Sequence, residues 1–186
     1  MENAPASTVI QPTLHAARLS LRPVASEDAS HLARVFAGAG VRRYLFDNEE
    51  VGPETVSAIV AESLRQSANG LGLWLIARDG DVLGCIGLHR APPATVRIVP
   101  AFDGEIEAVV ALMEAHWGAG YAKEALDAVL GYAMDILKAR RVVAVIDVPN
   151  KRSHALFKRS GFREIGSGQG PLYEAIAYER TSAAQS

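Results

Sequence analysis

Glycines 118 and 120, within Trp117-Gly118-Ala119-Gly120-Tyr121-Ala122, stand between a strand-like and a helix-like stretch of the chain. A glycine-rich entry to a helix gathers backbone N–H groups at the positive end of the helix dipole, where they attract anions. The chemistry this suggests is phosphate binding. Other chemistry-bearing residues surround the cradle. Glu105 and Glu107, two apart on the preceding strand, share one face of it and read in isolation as solvated strand carboxylates. Ser153 lies in the first turn of a helix that Asn150 can cap, and a serine there commonly bonds the backbone. His116 reads as a half-exposed loop residue; His89 and His154 are isolated. Cys85 sits inside an apolar strand, where a thiol is more often packing than nucleophile. The histidines and Cys85 lack metal-ligand spacing, so no metal is expected. Trp74 and Trp117 either wall a pocket or fill a core.

These residues need elements to hold them. Residues 17–22 alternate apolar and polar, as in a half-buried strand, and Pro23 ends the run. Ser26-Glu27-Asp28 can cap a helix carrying Ala29, Leu32, Ala33, Val35 and Phe36. After Gly38 and Gly40, residues 41–47 suggest a short helical or irregular piece, and 54–67 a second helix. Residues 73–78 and 82–89 form two strands joined by Asp79-Gly80-Asp81, a hairpin turn. Pro92-Pro93 breaks the next stretch, in which 95–99 is either a strand or extended loop. Residues 105–112 then predict a strand and 119–137 a helix. The nearly all-apolar run 142–148 has the character of a central strand covered on both faces.

A helix over 151–159 ends at Gly161, a residue suited to a left-handed helix cap. Residues 162–165 and 172–178 are expected as closing strands. Gly166-Ser167-Gly168-Gln169-Gly170 runs into Pro171 and not a helix, so it reads as a flexible turn. No P-loop motif occurs. The predicted order is β-α-α-β-β-β-α-β-α-β-β, one mixed α/β domain over 13–180 between a mobile tail at 1–12 and a C-terminal tail at 181–186.

Composition narrows the function. At 186 residues and 49% apolar, the chain fills a core easily. Nineteen Lys plus Arg oppose 21 Asp plus Glu, a net charge of -2, which argues against nucleic acid as the main partner. No apolar run approaches the roughly 20 residues of a membrane span. The single cysteine and an N-terminal stretch unlike a signal peptide suggest a cytoplasmic protein. It is expected as a monomer or homodimer.

With these residues in place, the chain resembles the GNAT superfamily of acetyl-CoA-dependent N-acyltransferases, in particular the branch containing the ribosomal-protein N-terminal acetyltransferases. The likeness runs from Arg18-Leu19-Ser20-Leu21-Arg22-Pro23 through Trp74 and Gly84-Cys85-Ile86-Gly87-Leu88 to Tyr178. It is sharpest at Trp117-Gly118-Ala119-Gly120-Tyr121-Ala122-Lys123-Glu124-Ala125, and at Asn150-Lys151-Arg152-Ser153 leading to Ser160-Gly161-Phe162.

The resemblance implies a GNAT-like mixed sheet with helices on both faces, and acetyl-CoA as co-substrate. It places the pyrophosphate on the loop from Trp117 through Gly118, Ala119, Gly120 and Tyr121 to Ala122. Lys123 adds a phosphate contact, and the pantetheine is held by backbone near Leu112 and by Asn150. It makes Glu107 the base that accepts the amine proton through water, with Glu105 as competitor. In many members a tyrosine protonates the leaving thiolate; that position is Phe157 here, and the alternative in this branch is Ser153. The acceptor would be an amine, either a protein N-terminus or a small molecule, bound near Arg42-Arg43-Tyr44 and the stretch 92–103, which is expected to gate it. Phe157 keeps open a second reading: a catalytically idle module that binds coenzyme A or a partner protein.

Overall fold

The structure, a computed structural model, describes residues 9–182. In chain order its elements are β1 (Leu14–His15), β2 (Ser20–Pro23), α1 (Ala29–Phe36), α2 (Ala39–Leu45), α3 (Pro53–Ser67), β3 (Gly72–Arg78), β4 (Asp81–Arg90), α4 (Pro93–Ile98), β5 (Ile106–Leu112), α5 (Tyr121–Asp135), β6 (Arg141–Asp147), α6 (Lys151–Arg159), β7 (Arg163–Gln169) and β8 (Glu174–Thr181). One eight-stranded sheet collects the strands in the order β1-β2-β3-β4-β5-β6-β8-β7. Every neighbouring pair is antiparallel except β5 and β6.

Strand alternation divides the apolar residues between two faces. Trp74 and Ile76 of β3, Ile86 and Leu88 of β4, and Val142, Ala144 and Ile146 of β6 pack against Ala125, Leu126, Val129 and Ala133 of α5. Leu75, Cys85 and Ala111 point the other way, into Leu32, Val35 and Phe36 of α1 and Val56 and Val60 of α3. The mixed α/β sheet with helices on both faces is the architecture expected. The turn between β3 and β4 carries Asp79 at φ 52° and Gly80 at φ 92°, the paired positive dihedrals of a tight hairpin.

Several expectations change. Residues 93–98 are helix α4, not a strand: Pro92 caps it and Pro93 occupies its first position, where the missing N–H costs nothing. Burial of Thr95 and of Phe102 just beyond then secures the segment. The glycine-rich 166–169 is part of strand β7, not a flexible turn. A Cβ on Gly168 would lie 2.3 Å from the Ile98 carbonyl oxygen, so this glycine permits α4 to rest on the strand. Helix α5 starts two residues later than predicted, because Gly120 takes a left-handed conformation at its cap.

Of the expected N-terminal tail, residues 1–8 lie outside the described residues. Gln11 is buried and Pro12 C=O accepts the Trp74 indole N–H at 2.7 Å, so those two are held. At the other end, Thr181 belongs to β8 and residues 183–186 lie outside the described residues. Among the described residues no helix is long and apolar enough to cross a membrane.

Candidate active site

Strands β5 and β6 pair only at Ile106–Val142 and Glu107–Val143. Beyond that point β5 stays with β4 as far as Leu112, and β6 stays with β8 as far as Asp147. A wedge opens between them. It continues into a cleft of about 1190 Å³, lined by Val110, Ala111 and Leu112 on one side and by Pro149, Asn150 and Ser153 on the other. Met113 N–H donates to Leu83 C=O on β4, so the alternation of the ladder turns the backbone groups of Leu112 and Val110 toward the wedge. Leu112 C=O already accepts the Trp117 indole N–H at 2.8 Å. Val110 presents its polar backbone to the opening without such a partner among the described residues, a feature the strand period could have revealed.

The glycine loop closes the wide end of the cleft. Gly118 and Gly120 have φ of 80° and 84°, which a side chain would strain. A Cβ on Gly118 would meet nothing within 4 Å, so its backbone faces open space. The N–H groups of residues 118–123 have no hydrogen-bond partner among the described residues; the first donor into helix α5 is Glu124 N–H, to Gly120 C=O. Unpaired donors at a helix start are the anion cradle that a pyrophosphate fits. The cleft lining carries Arg18, Lys123, Lys151, Arg152 and Arg159 against Glu124 and Asp127, so it is locally cationic in a chain of net charge -2.

Arg18 arrives from the far end of the sequence to brace this loop. Its Nε donates to Glu124 at 2.7 Å, its Nη1 donates to Ala119 C=O at 3.1 Å, and its guanidinium lies 4.7 Å from the Tyr121 ring centroid. Tyr121 OH accepts from Arg78. Tyr121 therefore contributes a backbone N–H to the cradle while its side chain anchors the helix. Lys123 Nζ, expected as a phosphate contact, is engaged with Asp127 at 2.5 Å, an exposed pair of little stability. Trp117 lines the cleft under the Arg152 guanidinium, 4.5 Å from its ring centroid, whereas Trp74 is a core residue.

The expected catalytic residues are placed differently from each other. Ser153 lines the cleft, and its N–H donates to Asn150 Oδ1 at 3.2 Å. That bond makes Asn150 a helix cap through its oxygen and leaves its amide N–H₂ without a partner among the described residues. Glu107 lies outside the cleft lining, at the last β5–β6 pair, on the face opposite α5. It is 8% exposed; its Oε2 accepts Thr95 Oγ1–H at 2.9 Å and lies 3.3 Å from His89 Nε2. Glu105 is bound to Arg141 at 3.0 Å and lies outside the lining of this cleft. Phe157 is 3% exposed and packs edge-on against Phe162, so that position offers neither a hydroxyl nor access.

His116 reaches the cleft. His154 is occupied: Nε2–H faces the Asp147 carbonyl at 3.1 Å and Nδ1 takes the Tyr178 hydroxyl at 2.8 Å. Burial holds its pKa below the ordinary value, as suits a neutral ring. Cys85 is fully buried, and desolvation pushes its thiol to about 12, which removes it as a nucleophile. Among the described residues no three His, Cys, Asp or Glu side chains gather as metal ligands would.

Helix α2 forms the remaining wall. Gly40, Val41, Tyr44 and Leu45 line the cleft, Gly40 N–H donates to Glu114 at 2.8 Å, and Tyr44 OH donates to Pro149 C=O at 3.4 Å. Beside it Asp147 ends β6, its carboxyl held above the usual range by burial and then by the charge of Asp47. Of the arginine-tyrosine run, only Tyr44 enters the lining. The segment 92–103 that was expected to gate the site is anchored by Thr95 on Glu107, by buried Phe102 and by Arg141, which donates to Ala101 C=O at 2.8 Å.

A family profile described as "Acetyltransferase (GNAT) domain" matches residues 18–163. An uncharacterised N-acetyltransferase of Bacillus subtilis, YoaA, is 26% identical over 166 residues, covering 88% of this chain and 89% of its own. Among solved structures, the RimL ribosomal L7/L12 alpha-N-protein acetyltransferase in complex with coenzyme A aligns with a TM-score of 0.76 at 17% identity, over 94% of this chain and 100% of its own. The spermidine N-acetyltransferase of Vibrio cholerae, in complex with coenzyme A and spermine, aligns at 0.71 and 16% identity, over 89% of this chain and 96% of its own. The chain belongs to the GNAT acetyltransferase family, whose members carry out acetyl-CoA-dependent N-acetylation.

Proposed function

We propose that this protein transfers an acetyl group from acetyl-CoA directly to a primary amine of a peptide N-terminus or a small molecule, without a covalent enzyme intermediate. The observation that carries the reading is the junction of two features: unpaired N–H groups at residues 118–123, and an open β5–β6 wedge leading away from them to the Glu107–Val143 backbone pair. A ligand with a pyrophosphate at one end and a reactive thioester at the other suits that arrangement. The backbone of residues 118–123 binds the pyrophosphate; Val110, Leu112 and Asn150 hold the arm. Acetyl-CoA supplies the activated acyl group.

Glu107 takes the proton of the incoming ammonium through water, which frees the nitrogen lone pair to form the C–N bond as the C–S bond breaks. Ser153, in the cleft lining, donates its hydroxyl proton to the departing sulfur and recovers one from the acylated nitrogen, which sheds its second proton as the amide forms. The acceptor approaches along α2 and Tyr44. Proteins of this fold act on a ribosomal-protein N-terminus in one case and on spermidine in another, and both classes remain candidates here.

Phe157 favours a second reading, a coenzyme A-binding module without turnover, since the common acid position is apolar and buried. Steady-state release of free thiol from acetyl-CoA with a panel of amines separates the two: a binder shows affinity without thiol release. Glu107→Gln should lower kcat by roughly a hundredfold, at the lower end of general-base effects. Ser153→Ala should lower it less, both with little change in acetyl-CoA affinity. Unchanged kcat in either variant removes that residue's role. Mass spectrometry of lysate components acetylated by the protein identifies the acceptor.

A further inference from the structure

We infer that Thr95 and His89 are positioning residues that clamp one oxygen of Glu107 and leave the other to work, an inference that rests on the reading of Glu107 as the base. Thr95 Oγ1–H at 2.9 Å and His89 Nε2 at 3.3 Å converge on the same atom, Oε2. Oε1 has no hydrogen-bond partner among the described residues, and it is not among the polar atoms that are both buried and unpartnered. It therefore keeps contact with solvent. A carboxylate only accepts, so His89 presents Nε2 as N–H.

The two donors come from separate elements, which makes the geometry rigid. His89 stands directly opposite Glu107 in the β4–β5 register. Thr95 comes from α4, itself seated on Gly168 of β7 and tied through Ala101 to Arg141. A glutamate has three side-chain torsions, and two donors on one oxygen fix the last of them. Oε1 is then the only carboxylate oxygen able to receive a proton. Glu105 cannot substitute, because Arg141 holds it.

The test is turnover of acetyl-CoA with the best acceptor from a panel of peptide N-termini and polyamines. Thr95→Val removes the hydroxyl at nearly constant shape, and His89→Ala removes the second donor. Each should lower kcat about tenfold, the scale of one charge-assisted hydrogen bond, with the KM for acetyl-CoA unchanged. Thr95→Ser and His89→Gln, which keep a donor, should recover most of the loss. In a Glu107→Gln background, Thr95→Val should cause no further loss of kcat. If Glu107→Gln alone leaves turnover intact, the base assignment falls and the clamp with it. If Glu107→Gln lowers turnover but the Thr95 and His89 variants are silent, or cost the same in both backgrounds, the base stands and the clamp is refuted.

Discussion

Asp28 is 1% exposed, yet it is charged: Arg22 donates to both its oxygens at 2.6 Å, and Ala25 N–H adds a third bond at 2.8 Å. These bonds join β2 to the start of α1. The Arg22 guanidinium, against an opposing cost of burial, holds the Asp28 carboxyl below its usual 3.8. The stabilisation is present above that value and is lost as pH falls through the lowered native one, because the unfolded chain takes up the proton first. Asp28→Asn should therefore cost about 2 kcal/mol at neutral pH, the worth of a charge-assisted pair with one partly exposed member. Its melting temperature should also fall less than that of the unchanged protein between pH 5 and pH 3. An equal fall in both would show that another group governs acid unfolding.

The glycine loop and α5 act as one element. Gly120 at φ 84° caps the helix and keeps the cradle open, and a β-branched residue there costs about 1–2 kcal/mol of backbone strain while placing a Cβ 3.4 Å from Arg18. Gly120→Val should weaken acetyl-CoA binding by at least tenfold in calorimetry and leave the far-ultraviolet spectrum unchanged. Retained affinity would mean that the loop's N–H groups do not hold the phosphates. The loop was legible in the sequence because its glycines, the helix pattern after it and the apolar run of β6 are all local signals. Helix α4 was not, since Thr95, Val96, Ile98 and Val99 have strand propensity, and what overrides it is burial of Thr95 against Glu107. Strand β7 was legible only at its start, 162–165; the glycine-rich remainder lies on an exposed edge with no alternation to betray it. Arg18 could not have been assigned to the loop either, as its partner Glu124 is 106 residues away.

For the whole molecule, the partial β5–β6 pairing means that the two halves of the sheet meet at one short seam. β1 to β5 lie on one side; β6, β8 and β7 lie on the other. A ligand whose backbone contacts span the wedge bridges the halves in the native state alone. At a hundred times its dissociation constant such a ligand adds about 2.7 kcal/mol. Acetyl-CoA should then raise the melting temperature by roughly 5–10 °C for a chain of this size, and dephospho-coenzyme A, which keeps the pyrophosphate, should do nearly as well. Absence of any shift with either compound would refute the seam as the binding site.

The two tryptophans divide along the same lines, with an optical consequence. Trp74 is 0% exposed and its indole is locked to Pro12, so its emission should be blue-shifted and indifferent to ligand. Trp117 lies at the cleft between the Leu112 carbonyl, the Arg152 guanidinium and Gly40, where an added Cβ would come within 2.4 Å of its ring. An occupant of the cleft lies beside these contacts, because Trp117 is part of its lining. Coenzyme A should therefore change the fluorescence of the unmodified protein and of Trp74→Phe, and leave Trp117→Phe dark to binding. The residue that closes the glycine loop onto α2 thus offers a built-in, label-free gauge of the cleft's occupancy.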